Sequence, residues 1–243
     1  MPDHQPKRVV LLDLDGTLTQ SHFGIIACVT KVFEALGRPV PDDAELHRFI
    51  GPAISESLRR NGVPDDQIDR AVEIYRDYYG NQAIFDDPNH DGAKVPGCLY
   101  NRVYDGIPEQ LAALRDAGYI LAVATCKPEY QAVPVCDHFG LTGMVDAVYG
   151  ASRDNSRIDK DQVIRYAFDG LGFDGLGFDS AAGDRALMVG DRWTDADGAA
   201  ACGIDCLGCG WGYAEDGELA AHGCYRTIGT TGELADAVKA YFD

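Results

Sequence analysis

The chain has 243 residues, 46% of them apolar and 25% charged, enough for one or two buried cores in an ordinary globular protein. A net charge of −18 argues against nucleic-acid polymers and anionic membranes as partners, and no run of about 18 apolar residues is present to span a bilayer. An anionic substrate would have to meet positive charge supplied locally, by Lys, Arg or a metal ion.

The polar segment from Met1 to Arg8 runs straight into Val9-Val10-Leu11-Leu12 with no apolar signal core or small-residue cleavage site, and a cytoplasmic location is expected. The Val/Leu run predicts a buried strand over 9–12. Two carboxylates, Asp13 and Asp15, stand at its C-terminal end, followed by the turn former Gly16 and by Thr17. Open α/β sheets bind ligands at such strand ends. Two like charges beside an apolar wall need a cation between them or a proton on one. With a cation bound, one carboxylate can act as nucleophile and the other as acid/base.

Ser21 is a predicted cap for a helix through Leu36, with Ile25, Ile26, Val29, Val32, Phe33 and Leu36 on one stripe, ended by Gly37, Pro39 and Pro41. Helical stretches near 42–49, 53–61 and 65–80 follow without an intervening strand. Residues 20–85 are therefore expected to form an inserted all-helical domain, and 86–102 a linker or inserted loop. Asp87-x-Asn89-x-Asp91-Gly92 matches half of a calcium loop, but Cys98 stands where the closing Glu belongs, and a polar turn is expected. Arg48, Arg59 and Arg60 are expected on a solvated face, and Tyr75, Tyr78 and Tyr79 in packing.

From Gly106 the pattern alternates: helix 107–117, strand 119–124, helix 128–138, strand 145–149, helix 159–169, strand 186–190, helix 194–202, strand 204–208, and helices near 215–221 and 232–242. Such alternation predicts an α/β fold with a Rossmann-like parallel sheet, built from residues 1–19 and 103–243. The Gly-rich echo at 168–178 is expected in a surface loop. Eight cysteines are expected as free thiols, and Cys202, Cys206 and Cys209 lack an obvious fourth metal ligand.

Further strand ends carry chemistry. Strand 119–124 runs into Thr125-Cys126-Lys127-Pro128, and Pro128 suits a helical first turn, so Thr125, Cys126 and Lys127 are expected at an anion-binding helix N-terminus. Lys160 opens the helix at 159–169. Strand 186–190 runs into Asp191-Arg192-Trp193-Thr194-Asp195, whose two acids can face one crevice. An all-oxygen acidic ligand set selects a hard cation, Mg²⁺ before Zn²⁺. A hydroxyl, a lysine and a helix N-terminus suit a phosphoryl group.

The order Asp-x-Asp-Gly-Thr, Thr, Lys, Gly-Asp-x-x-x-Asp resembles the haloacid dehalogenase superfamily of phosphohydrolases. The helical insert resembles that family's C1 cap. Phe49-Ile50-Gly51-Pro52, Val103-Tyr104-Asp105-Gly106-Ile107, Ala124-Thr125-Cys126-Lys127-Pro128 and Gly190-Asp191-Arg192 are similar to its phosphoglycolate phosphatase branch, including a subgroup of 5′-nucleotidases. The resemblance implies Mg²⁺-dependent hydrolysis of a small phosphorylated metabolite by a monomer or homodimer. It implies Asp13 as nucleophile and Asp15 as acid/base. Asp13, the backbone carbonyl of Asp15, Asp191 and Asp195 would hold the metal. Thr125 and Lys160 would bind the phosphoryl oxygens, with Gly16, Thr17, Cys126, Lys127 and Arg192 on the substrate. A 5′-nucleotidase acting on nucleoside monophosphates, or a phosphomutase or pyrophosphatase of the same fold, is the alternative, and the cap would close over the site and choose the substrate. Two departures stand out. Cys126 replaces the branch's usual Ser, which predicts a thiol of lowered pKa, and the loops 81–97 and 170–184 are longer than the branch requires.

Overall fold

The computed structural model describes residues 6–51, 53–154, 156–172 and 183–243; Pro52 and most of the Gly-rich segment lie outside the described residues. The chain divides into two compact units, Met1–Thr19 with Val103–Asp243, and Gln20–Arg102.

Strand β1 (Arg8–Leu12) opens the first unit. The second unit then intervenes as α1 (His22–Ala35), α2 (Asp43–His47), α3 (Ile54–Arg60), α4 (Asp65–Gly80) and the antiparallel pair β2 (Phe85–Asp86) and β3 (Lys94–Val95). Helix α1 buries Ile25, Cys28, Val29, Val32 and Phe33, the expected stripe. The segment 86–102 groups with this unit. Gly97 and Cys98 donate backbone hydrogen bonds to Tyr78 and Tyr79 at the end of α4. Gly24 on α1 approaches so closely that a Cβ there would lie 1.8 Å from the Gly97 carbonyl oxygen. Asp87 accepts from the Asn89 backbone at 2.8 Å and pairs with His90 at 2.9 Å, within a polar turn. Arg48 and Arg59 pair with Glu45 and Asp65, Arg60 donates to the Arg48 carbonyl, and Tyr75 stacks on Tyr79.

The first unit resumes with α5 (Ile107–Asp116), β4 (Ile120–Pro128), α6 (Glu129–His138), β5 (Ala147–Ala151), α7 (Lys160–Gly170), β6 (Arg185–Gly190), α8 (Trp193–Ala201), β7 (Asp205–Cys209), α9 (Glu218–Ala221), β8 (Arg226–Ile228) and α10 (Leu234–Phe242). Six parallel strands form one sheet in the order β5-β4-β1-β6-β7-β8. Val9, Val10, Leu11 and Leu12 are fully buried because both faces of the central strand are covered. Alternation sends Val9 and Leu11 into a cluster with Val163, Ile164, Phe168 and Ala199 of α7 and α8. Truncating such a residue, Leu11→Ala for instance, costs about 2–5 kcal/mol, so β1 is a stiff mount for the residues at its end. From β1 the chain builds outward on one side through β4 and β5, then on the other through β6, β7 and β8. The switch of direction falls between β1 and β6, where Asp13 and Asp191 emerge.

Two local expectations are corrected. Strand β4 continues to Pro128, because Thr125 and Pro128 still pair with Gly150 and Ala151 of β5 across a register irregularity, and α6 starts only at Glu129. Strand β8 was not expected; it has three residues, of which only Ile228 is buried. No helix among the described residues is long and apolar enough to cross a membrane.

Candidate active site

The C-terminal edge of the sheet collects the acids. Asp13 follows β1, its backbone N–H donating to the Val189 carbonyl at 2.9 Å, which ties it to β6. Asp191 follows β6, and Asp195 sits in the first turn of α8, where its Oδ2 accepts the Arg192 backbone N–H at 3.0 Å. One oxygen from each of Asp13, Asp191 and Asp195 lies within 4.8 Å of the others, and all three residues are buried. Glycines make room for this. A Cβ on Gly16 would lie 2.2 Å from Asp191 Oδ2, and one on Gly190 2.2 Å from the Asp195 carboxyl carbon.

Lys160, the first residue of α7, answers part of the charge. Its Nζ lies 2.8 Å from Asp13 Oδ1, 2.7 Å from Asp195 Oδ1 and 3.0 Å from the Ala124 carbonyl oxygen. Asp13 and Ala124 accept hydrogen bonds from it, and Asp195 is held as an ion pair. Burial works against the lysine's charge, but Asp13 and Asp195 outweigh it and hold its pKa well above the usual value. For Asp191 burial, then repulsion from Asp195 and Asp13, pushes the pKa well above the usual carboxylate range. Burial pushes Asp195 up as well, with Lys160 opposing. Three buried carboxylates thus meet one ammonium. The donor set is all oxygen, the residual charge is negative, and the residues fit a hard divalent cation.

Asp15 is not in this trio. Its carboxylate pairs with Lys127, Nζ lying 2.7 Å from Oδ2 and 3.0 Å from Oδ1. Lys127, expected on the substrate, is therefore engaged by the second acid of the first motif. Thr17 is also otherwise engaged, its hydroxyl donating to Asp191 Oδ1 at 3.2 Å. Thr125 is buried beside Ala124, and its Oγ1 accepts the Lys127 backbone N–H at 3.2 Å.

One expectation is overturned. Burial pushes the Cys126 thiol up to about 12, with Lys160 the opposing influence; the expected lowering needed a helix N-terminus, and Cys126 lies within β4. Arg192 donates from Nε to Glu218 Oε1 at 2.9 Å, and Glu218 also accepts the Trp193 backbone N–H at 2.8 Å. That ion pair ties α8 to α9. Cys202, Cys206 and Cys209 form no metal cluster among the described residues.

Sequence reasoning passed over one segment at this edge, Gly210-Trp211-Gly212-Tyr213. The Tyr213 backbone N–H donates to Asp191 Oδ2 at 2.7 Å, and the Trp211 indole N–H donates to the Thr17 carbonyl at 3.2 Å. The available signal was two glycines around a Trp directly after a strand.

A family model described as haloacid dehalogenase-like hydrolase matches residues 10–209. A 5′-nucleotidase of Pseudomonas aeruginosa is 36% identical over 214 residues, covering 88% of this chain and 87% of that protein. The tyrosine-protein kinase PtkA of Mycobacterium tuberculosis is 37% identical over 212 residues, covering 87% of this chain but 65% of that protein. The crystal structure of a phosphatase from Clostridium acetobutylicum, itself described as predicted, superposes with a TM-score of 0.80 at 31% identity, covering 97% of this chain and 100% of that one.

Proposed function

The chain belongs to the haloacid dehalogenase-like hydrolases, and on that premise we propose that it hydrolyses a small phosphate monoester in the cytoplasm, with Asp13 as nucleophile and Mg²⁺ as cofactor. The observation that carries this reading is the buried trio Asp13, Asp191 and Asp195 facing the single ammonium of Lys160. Asp13, Asp191 and Asp195 would hold the ion, with the Asp15 backbone carbonyl beside them. When bound, Mg²⁺ neutralises charge on the transferring phosphoryl group and orients it.

The remaining chemistry belongs to the protein. A carboxylate oxygen of Asp13 attacks phosphorus, the P–O ester bond breaks, and the phosphoryl group is carried as an aspartyl-phosphate. Lys160 fixes the orientation of Asp13 through Oδ1, and in-line transfer is governed by such positioning. Asp15 protonates the leaving alkoxide. It then takes a proton from the water that attacks the aspartyl-phosphate, releasing inorganic phosphate. To act as the acid it takes up a proton and exchanges its ion pair with Lys127 for the substrate oxygen; the proton taken from water restores that acid for the next turnover. Thr125 and Lys160 offer hydrogen bonds to the equatorial oxygens.

A nucleoside monophosphate is the first substrate candidate, because the 36% identical relative is named a 5′-nucleotidase; phosphoglycolate, implied by the motif resemblance, is the second. Phosphate release from a panel of metabolite monoesters, with Mg²⁺ and with chelator, tests the proposal. Mg²⁺-dependent release from one of these classes is expected, and no release from any ester contradicts the reading.

A further inference from the structure

The C-terminal end of β7 reaches the same edge of the sheet as β1 and β6, and the four residues after it, Gly210 to Tyr213, return across Asp191. Both oxygens of Asp191 are held by donors that converge on this segment. Oδ2 accepts the Tyr213 backbone N–H at 2.7 Å, and Oδ1 accepts the Thr17 hydroxyl at 3.2 Å. Trp211 joins the two arms. Its indole N–H donates to the Thr17 carbonyl at 3.2 Å, fastening the residue that supplies one donor. Its backbone lies two residues before the N–H that supplies the other. The Trp211 carbonyl is itself held by the Tyr104 hydroxyl at 3.4 Å, and the two rings meet edge to face at 6.5 Å between centroids.

Sterics close the remaining freedom. A Cβ on Gly212 would lie 2.2 Å from the Asp191 Cβ, and one on Gly16 would lie 2.2 Å from Asp191 Oδ2 and 2.6 Å from Tyr213 Cδ2. The carboxylate therefore sits between two backbones that only glycine lets approach, with one donor on each oxygen and a lone pair left on each for a cation.

We propose that Trp211 is a positioning residue for cation binding: by clamping Thr17 to the Tyr213 turn it fixes the orientation of Asp191. The proposal rests on the divalent-cation reading of the site given above. Mg²⁺ demands near-ideal octahedral geometry, whereas Ca²⁺ accepts six to eight oxygens in flexible arrangements. A loosened Asp191 should therefore cost Mg²⁺ more than Ca²⁺. Residues that orient metal ligands are worth about 10–100-fold in affinity.

The test is Trp211→Phe, which keeps an aromatic ring and removes the N–H. Mg²⁺ and Ca²⁺ dissociation constants are measured by calorimetry on the full chain without substrate. The expected result is a rise of about tenfold or more in the Mg²⁺ constant with a clearly smaller change for Ca²⁺. Unchanged Mg²⁺ affinity, or equal losses for both ions, overturns the proposal. If Trp211→Phe does not fold, Tyr104→Phe removes the other anchor; a several-fold weaker Mg²⁺ constant is then expected, and an unchanged one overturns the proposal. The parent protein separates the two claims. If it binds neither ion, the divalent-cation reading fails; if it binds Mg²⁺ and the variants bind it equally well, only the role of Trp211 fails.

Discussion

Lys127 Nζ and Asp15 Oδ2 lie 2.7 Å apart, joining residues 112 positions apart in the chain. The lysine side chain is 4% exposed and the aspartate 22%. The second acid of the Asp-x-Asp motif is thus turned toward a lysine on β4, while the first is turned toward Lys160 on α7. Two adjacent carboxylates receive two different ammonium groups, and this difference in partners separates their roles.

Lys127→Met should leave Asp15 without its partner. Removing one member of a fully buried pair costs about 3–5 kcal/mol; the partial exposure of Asp15 brings the expectation to about 1–3 kcal/mol. Urea unfolding measures it. Turnover of alkyl phosphates, whose leaving group needs a proton, should fall at least tenfold and more than that of p-nitrophenyl phosphate. Equal losses for both esters would argue against a link between Lys127 and the acid role.

Lys160→Met should leave Asp13, Asp191 and Asp195 facing one another with no cation. A destabilisation of about 3–5 kcal/mol is expected in chelator, and added Mg²⁺ should restore a large part of it, because an ion bound to the native state stabilises it. Thermal melts with and without Mg²⁺ decide the matter; the same loss under both conditions would show that the trio does not hold an ion.

Arg192 and Glu218 should matter for stability and little for substrate. Burial works to raise the Glu218 pKa, but the hydrogen bonds from Arg192, Trp193 and Glu215 prevail and hold it below the usual value. A depressed acid contributes stability that is present above its unfolded value, near 4.5, and is lost as pH falls through the folded value. The stability gap between the parent protein and Glu218→Gln should therefore be full at neutral pH and shrink below pH of about 4.5. Arg192→Ala should lower stability by about 1–2 kcal/mol and leave KM within about twofold; a tenfold rise in KM would return Arg192 to the substrate.

Cys126 should behave as a neutral thiol. With its pKa pushed up to about 12, alkylation by iodoacetamide at pH 8 should be much slower in the native protein than in urea, as peptide mass spectrometry can read. Fast native labelling at this position would contradict the burial argument.

The strand-end acids were legible in the sequence because an apolar run that stops at Asp-x-Asp-Gly-Thr records both a buried strand and its chemistry. The helical insert was legible from the stripe of α1 and the absence of strand-like runs before residue 85. The Lys127–Asp15 pair was not legible, because nothing local to either residue names a partner 112 positions away. The Cys126 expectation failed on one boundary: β4 runs on to Pro128, so the helix dipole that would lower the thiol starts after it. Strand β8 escaped because its short run buries only Ile228. Trp211 and Tyr213 escaped because they act through an indole N–H on a carbonyl and a backbone N–H, groups that carry no motif.

In the proposed reaction Asp13 carries the phosphoryl group. The most direct measurement uses Asp15→Asn with p-nitrophenyl phosphate and Mg²⁺, quenched in acid during the first turnover. That ester needs no acid to lose its leaving group, and without the Asp15 carboxylate the intermediate should persist. The nucleophilic role of Asp13 predicts a burst of nitrophenol and a phosphate adduct on Asp13 in the digested protein. A burst with no adduct at Asp13, or an adduct at another residue, would contradict it.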